Sequence, residues 1–280
     1  GERIAMSCVR GGLANPQWLR SLTTYEPKTR VATDHHCIER RRADKSCFPD
    51  FIVLNDDGLT IRIALGRCGK TAAAQHLPFG ASSLTNVVGT VGQMGHVRGE
   101  GNKLVWMQYK AEWKTYQIVH HDLLTKTSKR VSPWLAPQWL PQISGDKIVW
   151  ADHRNDPSGT RLDPKNVDIY LHDLKTGKTT AVTTHPARQA EPDVWGDWVV
   201  WHDYRDNANG VSGKELDVWA KNMATGTEYQ VTDYPGIEAY ARVDSGRIFY
   251  QRVDPIDGQL AVFMVDIKTW LAAKSKSGSN

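Results

Sequence analysis

Seven residues of this chain carry side chains suited to gripping a ligand: Trp134, Trp139, His153, His185, Arg188, Tyr204 and Tyr234. Aromatic rings stack on sugar rings, and Arg with His holds carboxylate or sulfate. The same set suits a protein partner, because Trp, Tyr and Arg are the usual interface anchors. Trp134 and Trp139 have a plainer use as fillers between structural units. No G-x-S-x-G elbow, H-E-x-x-H pair or phosphate-binding glycine loop occurs, so no catalytic residue is assigned. A polysaccharide lyase needs no local motif, however. His153 or His185 would then act as base while Arg188 neutralises a uronate carboxylate. The reading adopted is a binding module for a protein or acidic glycan partner, favoured over an enzyme. The lyase is the alternative, and a structural subunit of a surface assembly is a further one.

Two loops rich in Asp, Asn and Gly carry Asp156, Asp163, Asp206 and Asn209. Oxygen-rich loops can hold calcium, but the spacing is not that of an EF-hand, and solvated turns explain the composition equally. His35, His36, Cys37 and Cys47 lack the paired short spacings of a zinc site, and Arg40, Arg41 and Arg42 between them would repel a cation. No metal or other cofactor is expected.

All seven ligand candidates stand on or beside loops between the pieces of a repeat. GDKIVWADHR at 145–154 returns as GDWVVWHDYR at 196–205, and DIYLHDLKTGKTTAVT at 168–183 returns as DVWAKNMATGTEYQVT at 217–232. The aromatic series Trp106, Trp150, Trp201, Tyr250 is spaced 44, 51 and 49 residues, and the polar series Asp122, Asp173, Asn222, Asp266 is spaced 51, 49 and 44. Alternating β-branched and aromatic runs joined by Gly-containing turns are antiparallel hairpins. A unit near fifty residues that cannot bury its own apolar face must stack on its neighbours. Four strands per unit make one propeller blade. The sequence therefore predicts an all-β propeller of about six blades in a single domain over 1–271, with a disordered polar tail over 272–280. ERIAMSCVR opens a first blade lacking a strand, 51–65 is a hairpin around Asp57-Gly58, and the last blade lacks an outer strand. Arg154 and Arg205 are expected to pair across strands with Asp168 and Asp217, fixing register. Trp150 and Trp201 are expected to pack between blades.

The chain has 280 residues, 40% of them hydrophobic, enough for a sizeable core. Its 35 basic and 31 acidic residues are dispersed, giving a net charge of +4. Nucleic-acid binding calls for a dense basic stripe, so it is excluded. No apolar run reaches the length of a membrane span. Cys8, Cys37, Cys47 and Cys68 all fall in the first quarter. An even number there fits two disulfides, with three possible pairings, in an oxidising compartment; reduced thiols are the alternative.

The repeated phrases resemble the TolB-like, WD40-like propeller repeat over residues 101–270. The residues that carry the likeness are Asp152, Arg154, Asp168, Ile169, Tyr170, Asp173, Thr176 and Gly177. In the next copy they are Asp203, Arg205, Asp217, Val218, Trp219, Asn222, Thr225 and Gly226. The α/β domain that precedes the propeller in TolB is absent from this sequence. The resemblance implies a periplasmic or extracellular protein, and on its own it licenses no activity.

Overall fold

A computed structural model of the chain describes residues 4–10, 19–26, 31–38, 49–54, 58–65, 71–78, 85–91, 93–156, 166–206, 216–253 and 258–277. The sequence reading expected one domain, whereas packing divides the chain into two compact units, residues 1–103 with 122–126 and residues 104–121 with 127–280. In the first unit, β1 (Ile4–Arg10), β2 (Leu19–Glu26) and β3 (Val31–Ile38) form a three-stranded meander. β4 (Pro49–Leu54), β5 (Gly58–Leu65), β6 (Thr71–Pro78) and β7 (Thr85–Val91) form a four-stranded one, with β4 and β5 as the expected hairpin. β8 (Met94–Glu100) opens the next sheet in sequence.

That sheet, ordered β11-β10-β9-β8, continues with β9 (Lys103–Lys110), β10 (Thr115–Asp122) and β11 (Thr127–Arg130). The two clearest repeats follow. One is β12 (Gln138–Ser144), β13 (Lys147–Asp152), β14 (Asp168–Asp173) and β15 (Thr179–Ala181). The other is β16 (Gln189–Trp195), β17 (Trp198–Asp203), β18 (Asp217–Asn222) and β19 (Glu228–Gln230). The last sheet has three strands, β20 (Glu238–Asp244), β21 (Arg247–Val253) and β22 (Leu260–Asp266). Among the described residues there are six antiparallel sheets, the first and last of three strands and the others of four, in keeping with the all-β propeller that the repeat predicts.

Second strands read as continuous apolar runs because both their faces are covered. Val149, Ala151, Ile169 and Leu171 of one sheet pack on Val194, Val199 and Trp201 of the next. Val200, Val218 and Ala220 pack in the same way on Ala241, Val243 and Ile248. Trp106, Trp150 and Trp201 are almost wholly buried, as expected of inter-blade packing. In each first strand of this unit a bulge interrupts the ladder, between Trp139 and Gln142, Ala190 and Asp193, and Ala239 and Arg242. Leu140, Glu191 and Tyr240 stand there at φ 56°, 50° and 55°. Non-glycine residues reach that region only when their surroundings hold them there.

The tail departs from expectation. Ile267–Ser277 form a helix, α1, rather than a disordered segment from 272. The cause lies in one repeat position. The side chains of Asp122, Asp173 and Asn222 each accept backbone N–H bonds from the residues two and three further on, closing a turn. The fourth residue after each is left-handed: Lys126 at φ 56°, Gly177 at 68° and Gly226 at 76°. The fourth residue after Asp266 is Trp270, which stays out of the left-handed region that Lys126, Gly177 and Gly226 adopt. The turn therefore runs on as a helix, with Asp266 Oδ1 accepting the Thr269 N–H at 2.9 Å as an N-cap. Trp270 packs edge-on against Tyr229 at 5.5 Å between ring centres, which holds the helix on the preceding sheet.

Candidate functional site

Trp and Asp stand two residues apart on one face of β13 and of β17, and the Arg follows two residues on, just past the end of each strand. Trp150 Nε1 donates to Asp152 Oδ2 at 2.8 Å, and Arg154 Nη2 reaches the same oxygen at 2.6 Å. Trp201, Asp203 and Arg205 repeat this at 2.8 and 2.7 Å. The expected cross-strand pairs of Arg154 with Asp168 and Arg205 with Asp217 are corrected accordingly: each Arg binds the Asp two residues before it. Asp168 instead accepts from Asn155 at 2.6 Å, and Asp217 from Gln230 at 3.2 Å. Arg154 also stacks on Tyr170, and Arg205 on Trp219, both at 3.6 Å. These groups are committed to one another and belong to the scaffold.

The seven candidates separate. Trp139 is partly buried and packs against the core, 4.6 Å from the Tyr116 ring. Trp134 is 45% exposed and covers the Arg154 guanidinium at 4.0 Å. Tyr234 is exposed beneath Arg252, 4.3 Å from its ring. His185 Nδ1 accepts the Ala187 N–H at 3.2 Å within its own loop. His153 pairs with Asp156 at 3.5 Å, and burial depresses its pKa.

Arg188 and Tyr204 do meet. The guanidinium lies 4.9 Å over the phenol ring, and Tyr204 N donates to Arg188 O at 3.0 Å. Around them the structure gathers residues that the sequence reading missed: His202 on β17, and Glu191, Tyr240 and Arg242 on the first strands β16 and β20. The His202 ring stands edge-on to Tyr204 at 5.7 Å and to Tyr240 at 6.2 Å. Burial, then Arg188 and Arg242, push its pKa down to about 3, so it is uncharged at neutral pH. Its Nδ1 is buried without a hydrogen-bond partner. Arg188 also bears electrostatically on His153, so one guanidinium influences imidazoles from two sheets. Burial and the charges of Glu191 and Tyr240 raise the Tyr204 hydroxyl, opposed by Arg188. Among the described residues Arg188 forms no ion pair. Neutral imidazoles, phenols and two guanidinium groups in one place suit an anionic group that brings its own acceptors.

Several solved structures match this chain. The TolB of Acinetobacter baumannii aligns with 93% of it at 14% identity and a TM-score of 0.56, and the chain spans 63% of that protein. The β-propeller domain of the trilobed protease from Pyrococcus furiosus, described as having an open velcro topology, aligns with 95% at 14% identity and a TM-score of 0.62. An oligogalacturonate lyase of Vibrio parahaemolyticus aligns with 89% at 9% identity and a TM-score of 0.62; the chain spans 74% of it. The fold is that of the TolB-like β-propellers. No family model and no curated protein sequence matches the chain.

In this TolB-like propeller the Trp–Asp–Arg triplets repeat with the fold, while the Arg188 cluster occupies positions where the repeats differ. His202 corresponds to Ala151 and Gln251, Glu191 to Leu140 and Tyr240, and Arg242 to Gln142 and Asp193. That contrast inside the strands was the signal available to sequence reading. Cys8, Cys37, Cys47 and Cys68, His35 and His36, and Asp163 and Asn209 lie outside the residues or side chains described. Among the described residues no three His, Cys, Asp or Glu side chains converge to hold a metal, and no helix is long and apolar enough to cross a membrane.

Proposed function

We propose that this propeller is a binding module of the periplasm or cell exterior that captures carboxylate-bearing ligands, acidic glycans first, at the Arg188 cluster. The observation that carries this reading is Arg188 itself: half-buried, laid over Tyr204 and joined by His202 and Arg242. A half-buried guanidinium holds an incoming carboxylate more strongly than a fully solvated one, since less water competes. Tyr240, 52% exposed, offers a face on which a sugar ring can stack. Calorimetric titration with a polyuronate and with an acidic peptide tests the reading. Saturable polyuronate binding, lost on Arg188→Ala, supports it. Binding of the peptide alone moves the ligand class to protein, and binding of neither refutes it.

The lyase reading keeps one specific support. Burial lowers the pKa of His153 beside Arg188, which favours the neutral imidazole that a general base uses. Rising absorbance from unsaturated products during incubation with polyuronate would establish it, and a flat trace would remove it.

A further inference from the structure

We propose that Asp217 and Glu238 hold one proton between them, as a latch across the seam where the sheet β16–β19 meets the sheet β20–β22. This seam is built like its neighbours but with different chemistry. At corresponding places, the first strand of one sheet meets the start of the third strand of the sheet before it. At the first such seam, Gln138 Oε1 accepts the Ile118 N–H at 3.2 Å, and the neighbouring Gln117 Nε2 donates to Ala136 O at 2.7 Å. At the second, Gln189 N donates to Val167 O at 2.7 Å, the residue before Asp168. At the third, Glu238 N donates to Leu216 O at 2.8 Å, the residue before Asp217, and Leu216 forms a parallel bridge with Ile237. The series runs amide with amide, acid with amide, and finally acid with acid.

Two carboxylates cannot both stay charged in such a place without a large cost. Glu238 is fully buried, and neither of its carboxyl oxygens has a well-formed hydrogen bond, although Thr232, Asp217 and the Tyr234 amide surround them. Asp217 is 8% exposed, with Gln230 and Thr232 at 3.2 and 3.4 Å. The charged and titratable groups facing the pair are Asp206 from the segment after β17, and Arg252 and Tyr250 from β21. Arg252 favours the charged form of Glu238, but its guanidinium is shared with the faces of Tyr234 and Phe263. Burial, Glu238 and Asp206, in that order, push Asp217 up to about 7, and burial raises Glu238 as well. With one proton present, a carboxyl O–H donates to the facing carboxylate. When the proton leaves to solvent, two anions confront each other across the seam. The two acids titrate as a pair, not as separate residues.

A raised carboxyl pKa fixes the sign. The stabilisation is complete below about pH 4, the unfolded value, and is lost as pH rises through about 7. Asp217→Asn mimics the protonated acid, and Glu238→Gln recreates the acid–amide pair of the preceding seam. Thermal unfolding of the wild type and both variants at about pH 4 and about pH 8.5 tests the latch. Each variant is expected to match the wild type at the lower pH and to exceed its Tm by about 2–4 °C at the higher. A Tm difference that is the same at both values overturns the proposal. Should the variants fail to fold, hydrogen exchange in the wild type decides. Protection of the Leu216 and Glu238 amides, corrected for intrinsic rates, should fall about tenfold or more over that interval; unchanged protection overturns it.

Discussion

The indole of Trp201 donates to the Asp203 carboxylate at 2.8 Å, and Trp150 and Asp152 repeat the bond at the same length. Both carboxylates are essentially inaccessible to solvent, and each also receives a guanidinium. Removing the acid strands a half-buried cation and an indole N–H together. Asp203→Ala and Asp152→Ala should each cost about 3–5 kcal/mol in urea unfolding, far more than an exposed ion pair would.

This triplet shows what could be read from the sequence and what could not. The period near fifty residues, the four-strand unit and the buried Trp series were legible because packing between sheets imposes them at every copy. The expected partner of Arg154 is not the one found although the information is present: Arg154 follows two residues after Asp152, which shares a strand face with Trp150. The Arg188 cluster was harder to see. His202, Tyr240 and Arg242 lie within strands, where side chains are ordinarily structural, and they converge only because first strands of successive sheets run side by side. The helix over Ile267–Ser277 begins where Trp270 stands at the turn position of Lys126, Gly177 and Gly226; since Lys126 takes that turn without being glycine, the residue type alone did not announce the helix.

Trp134 and Trp139 should behave as opposites. Trp139 is partly buried against the core beside Tyr116, so Trp139→Ala should lower stability by about 2 kcal/mol in urea unfolding. Trp134 is about half exposed over Arg154, and Trp134→Ala should change stability by about 1 kcal/mol or less.

Arg188→Ala should weaken binding of polyuronate about tenfold or more by titration calorimetry, the scale of a lost charge-assisted contact. Arg188→Lys should restore only part of it, since an ammonium cannot form the planar fork. Unfolding curves of both variants should stay close to wild type.

His202 gives the acid limb of stability. Its folded pKa, near 3, lies below its unfolded value near 6.5. Its contribution is therefore present above about pH 6.5 and is lost as pH falls from there toward 3. His202→Gln, which places here the residue found at the corresponding position 251, should remove this loss. The variant's urea midpoint, measured relative to that of the wild type at the same pH, should rise between about pH 7 and about pH 4.

Lys126 occupies, at φ 56°, the turn position that Gly177 and Gly226 fill in the later repeats. Lys126→Gly should raise stability by about 1 kcal/mol, and Gly177→Ala should lower it by a similar amount, both measured by urea unfolding.

The bulge shared by β12, β16 and β20 has a consequence for how such a molecule can change. At Leu140, Glu191 and Tyr240 the backbone holds one conformation under an aliphatic, an acidic and an aromatic side chain. Shape and chemistry are uncoupled at that point, so exchanging one side chain for another leaves the architecture intact. These positions act as interchangeable sockets. A new ligand preference can be written into one of them without rewriting the ladder that carries it.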